Sequence, residues 1–317
     1  MKRINNLFEK IISIENLEIA DEKARKGKKM QPGIMVHDLT RESNILHLHL
    51  SLINKNYKTS PYSVFRIYEP KEREISRLPY FPDRICHHGI MNILEPLFTS
   101  YYTSDTYSCI KGRGIHAAAR SLKRSLRRPD NNSYCLKLDI KKFYPSIDHS
   151  ILKNLLRKKF KDQDLLWLLD EIIESAPGLP IGNYLSQYLA NFYLTGFDRW
   201  IKNEIGSNKY FRYADDMVIL SDCKEQLHSL IRSIKQYLSI ELHLQVKDNW
   251  QVFPVEARGI DFVGYKFYHT HTLLRKGIKK NFARMLVNNR NPASLASYNG
   301  WVKHCNSKRL LTKLLAI

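Results

Sequence analysis

Apolar and polar residues alternate along residues 134–140, which read YCLKLDI. Successive side chains of a strand point to opposite faces, so Leu136 and Leu138 fall on one face and Lys137 and Asp139 on the other. The alternation predicts a half-buried strand that presents Asp139 on its polar face.

The remaining segments read as a mixture of helices and strands. A helix is predicted for residues 1–22, and apolar residues recur at helical spacing in four more segments: 90–98, 152–156, 185–193 and 227–238. Strand patterns occur at six places: 62–70, 73–81, 210–220 (a hairpin), 241–246, 250–255 and 259–268. Residues 271–317 read as short helices that carry Lys and Arg. This order predicts an α+β fold and not a regular succession of βα units.

Positive charge exceeds negative charge, since 51 Lys and Arg against 31 Asp and Glu give 51 − 31 = +20. The basic residues are clustered, for example in residues 23–29, 120–128 and 273–280. Such clusters usually form a field that attracts a polyanion. With 43% apolar residues the chain is globular, and we expect a nucleic acid partner. An anionic membrane and a basic surface without a partner are the alternatives.

No apolar run approaches the ~20 residues that a bilayer-spanning helix needs. The N-terminal segment has no small-residue cleavage site. Five scattered cysteines without a CxxC pair suit reduced thiols and argue against a zinc site. We therefore expect a cytoplasmic protein that does not contact a membrane.

Two adjacent carboxylates, Asp215 and Asp216, lie between two apolar runs in FRYADDMVIL. Like charges side by side cost free energy unless a cation neutralises them. If this hairpin pairs with the strand of Asp139, three carboxylates converge, and Mg²⁺ prefers such oxygen ligands. Two ions about 4 Å apart can clamp an in-line phosphoryl transfer. A solvated turn is the alternative, which the flanking apolar strands disfavour.

These residues resemble the motifs of reverse transcriptases. FRYADDMVIL (211–220) resembles their catalytic hairpin, and LKLDIKKFYPSI (136–147) resembles their first catalytic strand. Four further blocks occur in the family's order: REISRLPYFPDR (73–84) of the fingers, YSCIKGRGIHAAA (107–119) at the palm entry, GLPIGNYLSQYLAN (178–191) of the template and nucleotide helix, and GIDFVGYKF (259–267) of the primer grip. The resemblance implies a right-hand polymerase fold with fingers, palm and a short helical thumb.

One block narrows the resemblance. Most reverse transcriptases carry QGxxxSP where residues 181–187 read IGxxxSQ, which resembles the enzymes of bacterial and phage diversity-generating retroelements. The chain lacks the NAxxH and VTG segments of retron enzymes. The resemblance implies copying of template-repeat RNA with dNTPs into cDNA that is mutated opposite adenine. It also implies a protein partner, the accessory variability determinant, which is a small basic oligomer.

Two alternatives to this subclass remain open. One is a defence-type bacterial reverse transcriptase, of the abortive-infection or retron-like kind. The other is an RNA-binding scaffold that has kept the fold without the activity, which the intact Asp139, Asp215 and Asp216 disfavour.

The resemblance also implies catalytic residues. Asp139, Asp215 and Asp216, with the backbone carbonyl of Ile140, would bind two Mg²⁺ ions, for which Mn²⁺ could substitute. Lys247 matches a family lysine near the triphosphate and would act as a general acid for pyrophosphate.

Eight residues are implied to bind the nucleotide or its templating base: Arg73, Arg77, Lys111, Arg113, Tyr144, Ile181, Gly182 and Gln187. Tyr144 would clash with a 2′-hydroxyl and so select deoxynucleotides. Ile181 cannot hydrogen-bond to hold out a mispair, so discrimination would fall. Core packing for Tyr144 and Ile181, and surface salt bridges for the basic residues, are the alternatives. Gly264 and Tyr265 fit a primer-grip turn.

The predicted lobes follow the order of these blocks. The N-terminal helix and fingers take residues 1–84, the palm with interleaved fingers helices takes 85–270, and a short helical thumb takes 271–317. A thumb this short would hold primer–template weakly, so we expect low activity without the partner and its RNA.

Overall fold

The computed structural model describes residues 3–68, 72–127, 133–207, 209–288 and 291–315. The first elements are α1 (Phe8–Ile12), α2 (Ile14–Arg25), α3 (Pro32–Asp38), α4 (Arg41–Ile53), β1 (Ser63–Ile67), β2 (Arg73–Arg77), α5 (Ile85–Tyr101), α6 (Ile115–Leu126) and β3 (Tyr134–Asp139). Then follow α7 (His149–Lys159), α8 (Gln163–Glu174), α9 (Tyr184–Asn203), β4 (Tyr210–Tyr213), β5 (Asp216–Ser221), α10 (Lys224–Leu242), β6 (Gln251–Pro254) and α11 (Val255–Arg258). The last are β7 (Ile260–Phe262), β8 (Tyr265–Phe267), β9 (Thr272–Leu274), α12 (Lys276–Asn288), α13 (Pro292–Val302) and α14 (Lys308–Leu315). Helices and antiparallel sheets together confirm the α+β class.

The chain forms two compact units. The first unit comprises Met1–Tyr102, Lys142–Thr195 and Leu242–Leu244. The second unit comprises Thr103–Lys141, Gly196–Glu241 and Gln245–Ile317. The predicted division into fingers, palm and thumb is a different description of the chain and stays a prediction.

The core of the first unit forms where α2 and α5 pack together. Leu17 of α2 and Ile90 and Leu94 of α5 are fully buried. A Cβ on Gly89 would lie 3.3 Å from the Leu17 side chain, so glycine permits this close approach of the two helices.

Asp21 is a fully buried carboxylate that ties α2 to its neighbours. It accepts hydrogen bonds from the Arg25 and Arg41 guanidinium groups and from the Tyr80 hydroxyl. Burial alone would raise the pKa of Asp21, but the nearby His37 and the hydrogen bonds from Tyr80, Arg25 and Arg41 hold it well below its usual value. The ionised carboxylate therefore acts as a structural cross-link in the first unit.

The second unit contains a four-stranded antiparallel sheet of order β4–β5–β3–β6. The alternation predicted for β3 is confirmed, because Leu136 and Leu138 are buried and Lys137 and Asp139 are partly exposed. The predicted hairpin is β4 and β5. Residues 217–220 of β5 are buried without alternation, which indicates that both faces of this strand are covered.

A second, three-stranded sheet of the same unit has the order β7–β8–β9. The strand predicted at 259–268 is two strands, joined by a tight turn in which Val263 and Gly264 both have positive φ angles of 42° and 88°. β9 was not predicted. Phe262, Phe267, Phe282 and Val302 bring this sheet, α12 and α13 into one apolar core with α6.

Three further secondary-structure predictions are wrong. The predicted helix 1–22 breaks at Ser13, whose backbone is extended (ψ 142°) and whose hydroxyl caps α2. The strand predicted at 241–246 is partly the end of α10, because the apolar stripe of that helix continues to Leu242. The strand predicted at 73–81 ends at Arg77, since Pro79 has no N–H with which to extend the ladder. Residues 1–2 and 69–70 of the predicted elements lie outside the described residues.

Candidate active site

The three predicted aspartates lie at one end of the four-stranded sheet in the second unit. The register pairs Asp139 of β3 with Asp216 of β5, and Asp216 with Tyr213 of β4. The hairpin turns at Ala214, whose φ of 54° is left-handed, and at Asp215. Strand pairing across two strands therefore brings together residues that are 76 and 77 positions apart in the sequence.

Two lysines neutralise these carboxylates. The Lys247 ammonium lies 3.8 Å from Asp139 Oδ1 and 3.8 Å from Asp215 Oδ2. Its backbone N–H donates to the Asp139 carbonyl over 2.8 Å, which places the lysine beside β3. Asp216 instead forms an ion pair with Lys137. Asp139 and Asp215 thus face one cation, and Asp216 faces another.

This donor set fits a divalent ion held by two carboxylates. Among the described residues, no group of three or more His, Cys, Asp or Glu side chains is arranged to hold a metal. Mg²⁺ commonly takes one or two protein carboxylates and completes its shell with substrate phosphates and water. Asp139 and Asp215 offer such a pair, whereas the prediction of two ions with Asp216 as a third ligand stays a prediction.

The predicted Ile140 carbonyl ligand is consistent with the backbone geometry. The Ile140 N–H donates to the Asp215 carbonyl over 3.3 Å. In extended backbone, the N–H and C=O of one residue point to the same side. The Ile140 carbonyl is therefore directed towards the hairpin turn, and its role as a ligand stays a prediction.

Burial and neighbouring charges change the acidity of Asp216, whose side chain is 24% exposed. Burial raises the pKa of Asp216 to about 6 against the opposing effect of Lys137, and the nearby Asp139 and Asp215 raise it further. Asp216 therefore takes up a proton more readily than an ordinary aspartate does.

A buried ion pair supports the hairpin turn. Arg212 and Asp198 are both fully buried, and the guanidinium binds the carboxylate at 2.7 and 2.5 Å. Tyr210 and Thr106 donate hydrogen bonds to the same carboxylate. Arg212 also donates to the Ala214 carbonyl over 3.1 Å, directly before the two aspartates. The network therefore fixes the position of the turn.

Three of the predicted nucleotide-binding residues share a cleft of about 510 Å³ in the first unit, namely Arg77, Gly182 and Gln187. Ile181 lies beside it, since its carbonyl accepts the Ser76 N–H at 2.8 Å. Gly182 has a φ of 123°, and a Cβ there would lie 2.5 Å from the Ser76 carbonyl. Only glycine allows this turn to sit against β2 without strain.

The wall of this cleft is strongly basic. No described residue that lines it is acidic, and its other cationic or imidazole side chains are Lys23, Lys26, Lys28, Arg84, His87 and His88. Burial lowers the pKa of both histidines to about 4, and Arg84 lowers it further. The His88 ring stacks on Tyr184 with centroids 4.6 Å apart. The cleft can therefore hold phosphate groups beside aromatic rings.

The remaining predicted residues of the first unit lie elsewhere. Arg73 begins β2 and is exposed, and it does not line the cleft. Tyr144 is partly buried, with its ring edge-on to Phe143 at 5.5 Å. Its carbonyl accepts the Leu179 N–H over 2.9 Å. The structure therefore holds the backbone of Tyr144 in place, and the steric-gate role stays a prediction.

The predicted residues Lys111 and Arg113 belong to a turn of the second unit. Lys111 is exposed, and Arg113 donates to the Thr103 carbonyl at 2.9 Å. Their proposed contact with a nucleotide stays a prediction.

The predicted primer-grip residues form the β7–β8 turn. Gly264 is needed there, because a Cβ would lie 2.4 Å from the Trp301 ring. Tyr265 is fully buried and its hydroxyl donates to the Trp301 carbonyl at 3.0 Å. The Tyr265 side chain therefore packs in the core, and any contact with a primer would come from the turn.

Sequence reasoning missed several residues of these sites. Lys137 had a usable signal, because it lies two positions before Asp139 on the same strand face. Arg212 had none, because its partner Asp198 lies on α9 and only the fold brings them together. Lys28 had a partial signal, because it belongs to the basic cluster 23–29, but only the fold places it in the cleft with His88.

Comparison with known families identifies the class of protein. Residues 70–267, more than half of the chain, match the family described as reverse transcriptase (RNA-dependent DNA polymerase). The chain therefore belongs to the reverse transcriptase family, as its motifs predicted.

Three individual relatives carry names of different kinds. It is 23% identical over 273 residues to protein YkfC of Escherichia coli, covering 71% of this chain and 70% of that protein. It is 28% identical over 191 residues to the retron Ec73 reverse transcriptase of E. coli, covering 55% and 58%. It is 24% identical over 173 residues to the group II intron-encoded protein LtrA of Lactococcus lactis, covering 50% and 28%.

Solved structures show the fold. The telomerase of Candida albicans, in complex with the TWJ fragment of telomeric RNA, superimposes with a TM-score of 0.50 at 12% identity, covering 76% of this chain and 54% of that one. The apo telomerase of Candida tropicalis gives 0.51 at 12% identity, covering 72% and 52%. The predicted right-hand polymerase fold is confirmed, and the chain spans about half the length of these telomerases. In the part of the chain that is described, no helix is long and apolar enough to cross a membrane.

Proposed function

We propose that this chain extends a primer on an RNA template with deoxynucleotides, and that Asp139 and Asp215 hold the catalytic divalent ion. One observation carries the proposal: the two carboxylates face a single ammonium, that of Lys247, at 3.8 Å each. A cation is already favoured at that point, and the remaining ligands of Mg²⁺ would come from the nucleotide.

The chemistry assigns a role to each group. Bound Mg²⁺ would activate the primer hydroxyl and stabilise the departing pyrophosphate. Asp139 and Asp215 supply oxygen ligands, while Asp216 stays paired with Lys137 and holds β3 against β5. Lys247, released from the carboxylates, protonates the pyrophosphate. The cations of the first-unit cleft bind phosphates of the template or nucleotide.

We further propose that the enzyme belongs to a diversity-generating retroelement. The IGxxxSQ block supports this subclass, since an apolar Ile181 can offer no side-chain hydrogen bond to a templating base. The Ser76 hydrogen bond fixes the backbone of Ile181, so its side-chain chemistry determines its effect. The RNA would be a template repeat, and a basic accessory oligomer would complete the complex.

A second candidate is a retron-like or defence-type enzyme with ordinary fidelity. The similarity to the retron Ec73 enzyme and to LtrA favours this candidate at least as well as the first. Template identity and fidelity separate the two.

Primer extension on RNA, with sequencing of the cDNA, tests both the polymerase activity and the assignment to a subclass. The retroelement assignment predicts errors concentrated opposite template adenine, which fall in Ile181→Gln and persist in the apolar control Ile181→Leu. Faithful synthesis by the wild type would favour the retron-like candidate. Absence of incorporation, even with the cognate RNA and accessory protein, would contradict the polymerase and favour an RNA-binding scaffold.

A further inference from the structure

A second cationic site lies in the second unit, apart from the catalytic carboxylates. A groove of about 210 Å³ runs between α6 and the residues that follow α13. It is lined by Ala119, Arg120 and Lys123 of α6 and by Lys303, His304, Cys305 and Asn306. We call it the α6–α13 groove. No described residue that lines it is acidic.

The three cations of this groove differ in their partners from several other cations of the unit. Lys137, Lys202 and Lys247 each lie beside a carboxylate. Within the described ranges, Arg120, Lys123 and Lys303 form no ion pair. Three positive charges that face one space repel one another, and an anion bound between them relieves that repulsion.

One imidazole, that of His304, lines the groove. The rings of His304 and His116 stack with centroids 3.9 Å apart and an angle of 25° between their planes. Burial lowers the pKa of His304, and so do Arg120, Lys123 and Lys303. The histidine is therefore an additional sign of the positive potential in the groove, and its neutral ring keeps one N–H as a donor.

The loop that carries Lys303 and His304 is held in place. The Asn306 N–H donates to the Thr272 carbonyl at 2.7 Å, and the Thr272 N–H donates to Asn306 Oδ1 at 2.9 Å. The Ser307 hydroxyl donates to the Val302 carbonyl at 2.8 Å. The cations thus extend from fixed backbone, which reduces the entropy cost of binding.

We propose that the α6–α13 groove binds the phosphodiester backbone of a nucleic acid strand. Its volume is below the roughly 300 Å³ of small-molecule pockets, so it suits one phosphate group and not a free nucleotide. The planar Arg120 guanidinium matches two phosphate oxygens, and the lysines add point charge. This inference rests on the proposed function, which requires the chain to hold nucleic acid. The strand belongs either to the primer–template duplex or to a folded region of the RNA.

Equilibrium binding at several salt concentrations tests the groove. The variant Arg120→Gln/Lys303→Gln removes two charges from it. The control Lys224→Gln/Arg232→Gln removes one Lys and one Arg charge from exposed positions of α10 in the same unit. Fluorescence anisotropy would follow two labelled probes, a DNA primer on an RNA template and an RNA hairpin of equal length. Thermal melting of each variant checks that it is folded.

The groove variant should lose affinity for at least one probe, and the slope of log K against log salt should become less negative by about 0.7–0.9, for one lost phosphate contact. The control should keep the wild-type slope. The probe that is affected identifies the source of the strand. Equal slopes for the groove variant and the control would overturn the proposal that the groove binds a strand, and would leave the proposed polymerase function untouched. Failure of the wild type to bind either probe would instead count against the proposed function.

Discussion

The acidic site of the second unit and the basic cleft of the first unit are built in opposite ways. Asp139, Asp215 and Asp216 come from two neighbouring strands and the turn between β4 and β5, and each has a lysine within reach. The cleft draws its cations from α2, the loop after it, β2 and Arg84 directly before α5, and no described residue of its wall is acidic. Strand pairing assembles the acidic site, whereas tertiary packing of distant segments assembles the basic cleft.

Burial has the same physical effect in both regions, with opposite signs. It raises the pKa of Asp216 to about 6 and lowers the pKa of His87 and His88 to about 4. In both regions like charges add to the effect of burial, Asp139 and Asp215 at Asp216 and Arg84 at the two histidines. The comparison implies complementary ligands, a divalent cation for the carboxylates and phosphate for the cleft.

The largest predicted effect is at the acidic site. Asp139→Asn removes one of two ligands of the catalytic ion, and we expect nucleotide incorporation to fall by about 10³-fold or more, on the order of 4 kcal/mol in the barrier. Single-nucleotide primer extension measures it. Asp222→Asn, an exposed aspartate just after β5, is the matched control and should keep wild-type activity. Equal activity in the two variants would remove Asp139 from the site.

Removal of half of the buried pair behind the hairpin should have the next largest effect. Arg212→Met leaves the Asp198 carboxylate buried without its main partner, so the free energy of unfolding should fall by about 3–5 kcal/mol. Urea denaturation measures the change. The double variant Arg212→Met/Asp198→Leu removes both charges and should recover much of that loss. If the single and double variants were equally unstable, the ion pair would not be the cause.

The cleft should make stability depend on pH. His87 is fully buried with a pKa of about 4, against 6.5 for an ordinary histidine, so the unfolded chain binds the extra proton first. The free energy of unfolding should therefore rise by about 3 kcal/mol between pH 4 and 6.5 through this group. Urea denaturation across that range, compared with His87→Leu, isolates the contribution. If the difference in unfolding free energy between wild type and His87→Leu stays constant with pH, His87 does not make this contribution.

Asp216 should contribute to the pH dependence of stability with the opposite sign to His87. Its folded pKa of about 6 exceeds the ordinary 3.8, so the folded chain binds the proton first and stability falls as pH rises from about 4 to 6. In metal-free buffer, the free energy of unfolding of the wild type should fall relative to that of Asp216→Asn by on the order of 2–3 kcal/mol over that range. A difference that shifts in favour of the wild type would show that Lys137 outweighs burial.

The smallest predicted effect concerns the turn beside the cleft. Gly182→Ala places a Cβ against the Ser76 carbonyl at a positive φ and should cost about 1–3 kcal/mol of unfolding free energy. Gly277→Ala in α12 meets nothing within 4 Å and should be neutral or slightly stabilising. Thermal melting compares them, and a harmless Gly182→Ala would show that the turn can move away from β2.

The contrast between the acidic site and the basic cleft also explains which features could be predicted from the sequence. Alternation around Asp139 and the YADD hairpin predicted the strands and their carboxylates, because both depend on local period and short-range pairing. The motifs predicted the family. The placement of the 23–29 cations in the cleft and the Arg212–Asp198 pair escaped prediction, since packing between distant segments creates them. Strand β9 was also missed, although it pairs with the nearby β8. The end of α10 was mistaken for a strand because short apolar runs fit either period.

The central claim is a metal site at Asp139 and Asp215. The most direct test is to titrate Mn²⁺ into this chain and to measure binding as the loss of the free-ion electron paramagnetic resonance signal. The measurement compares wild type, Asp139→Asn, Asp215→Asn and the control Asp222→Asn. The account predicts that either site variant weakens binding at least about tenfold, or 1.4 kcal/mol, while the control matches the wild type. Equal Mn²⁺ affinity in all four proteins would contradict a metal site at Asp139 and Asp215.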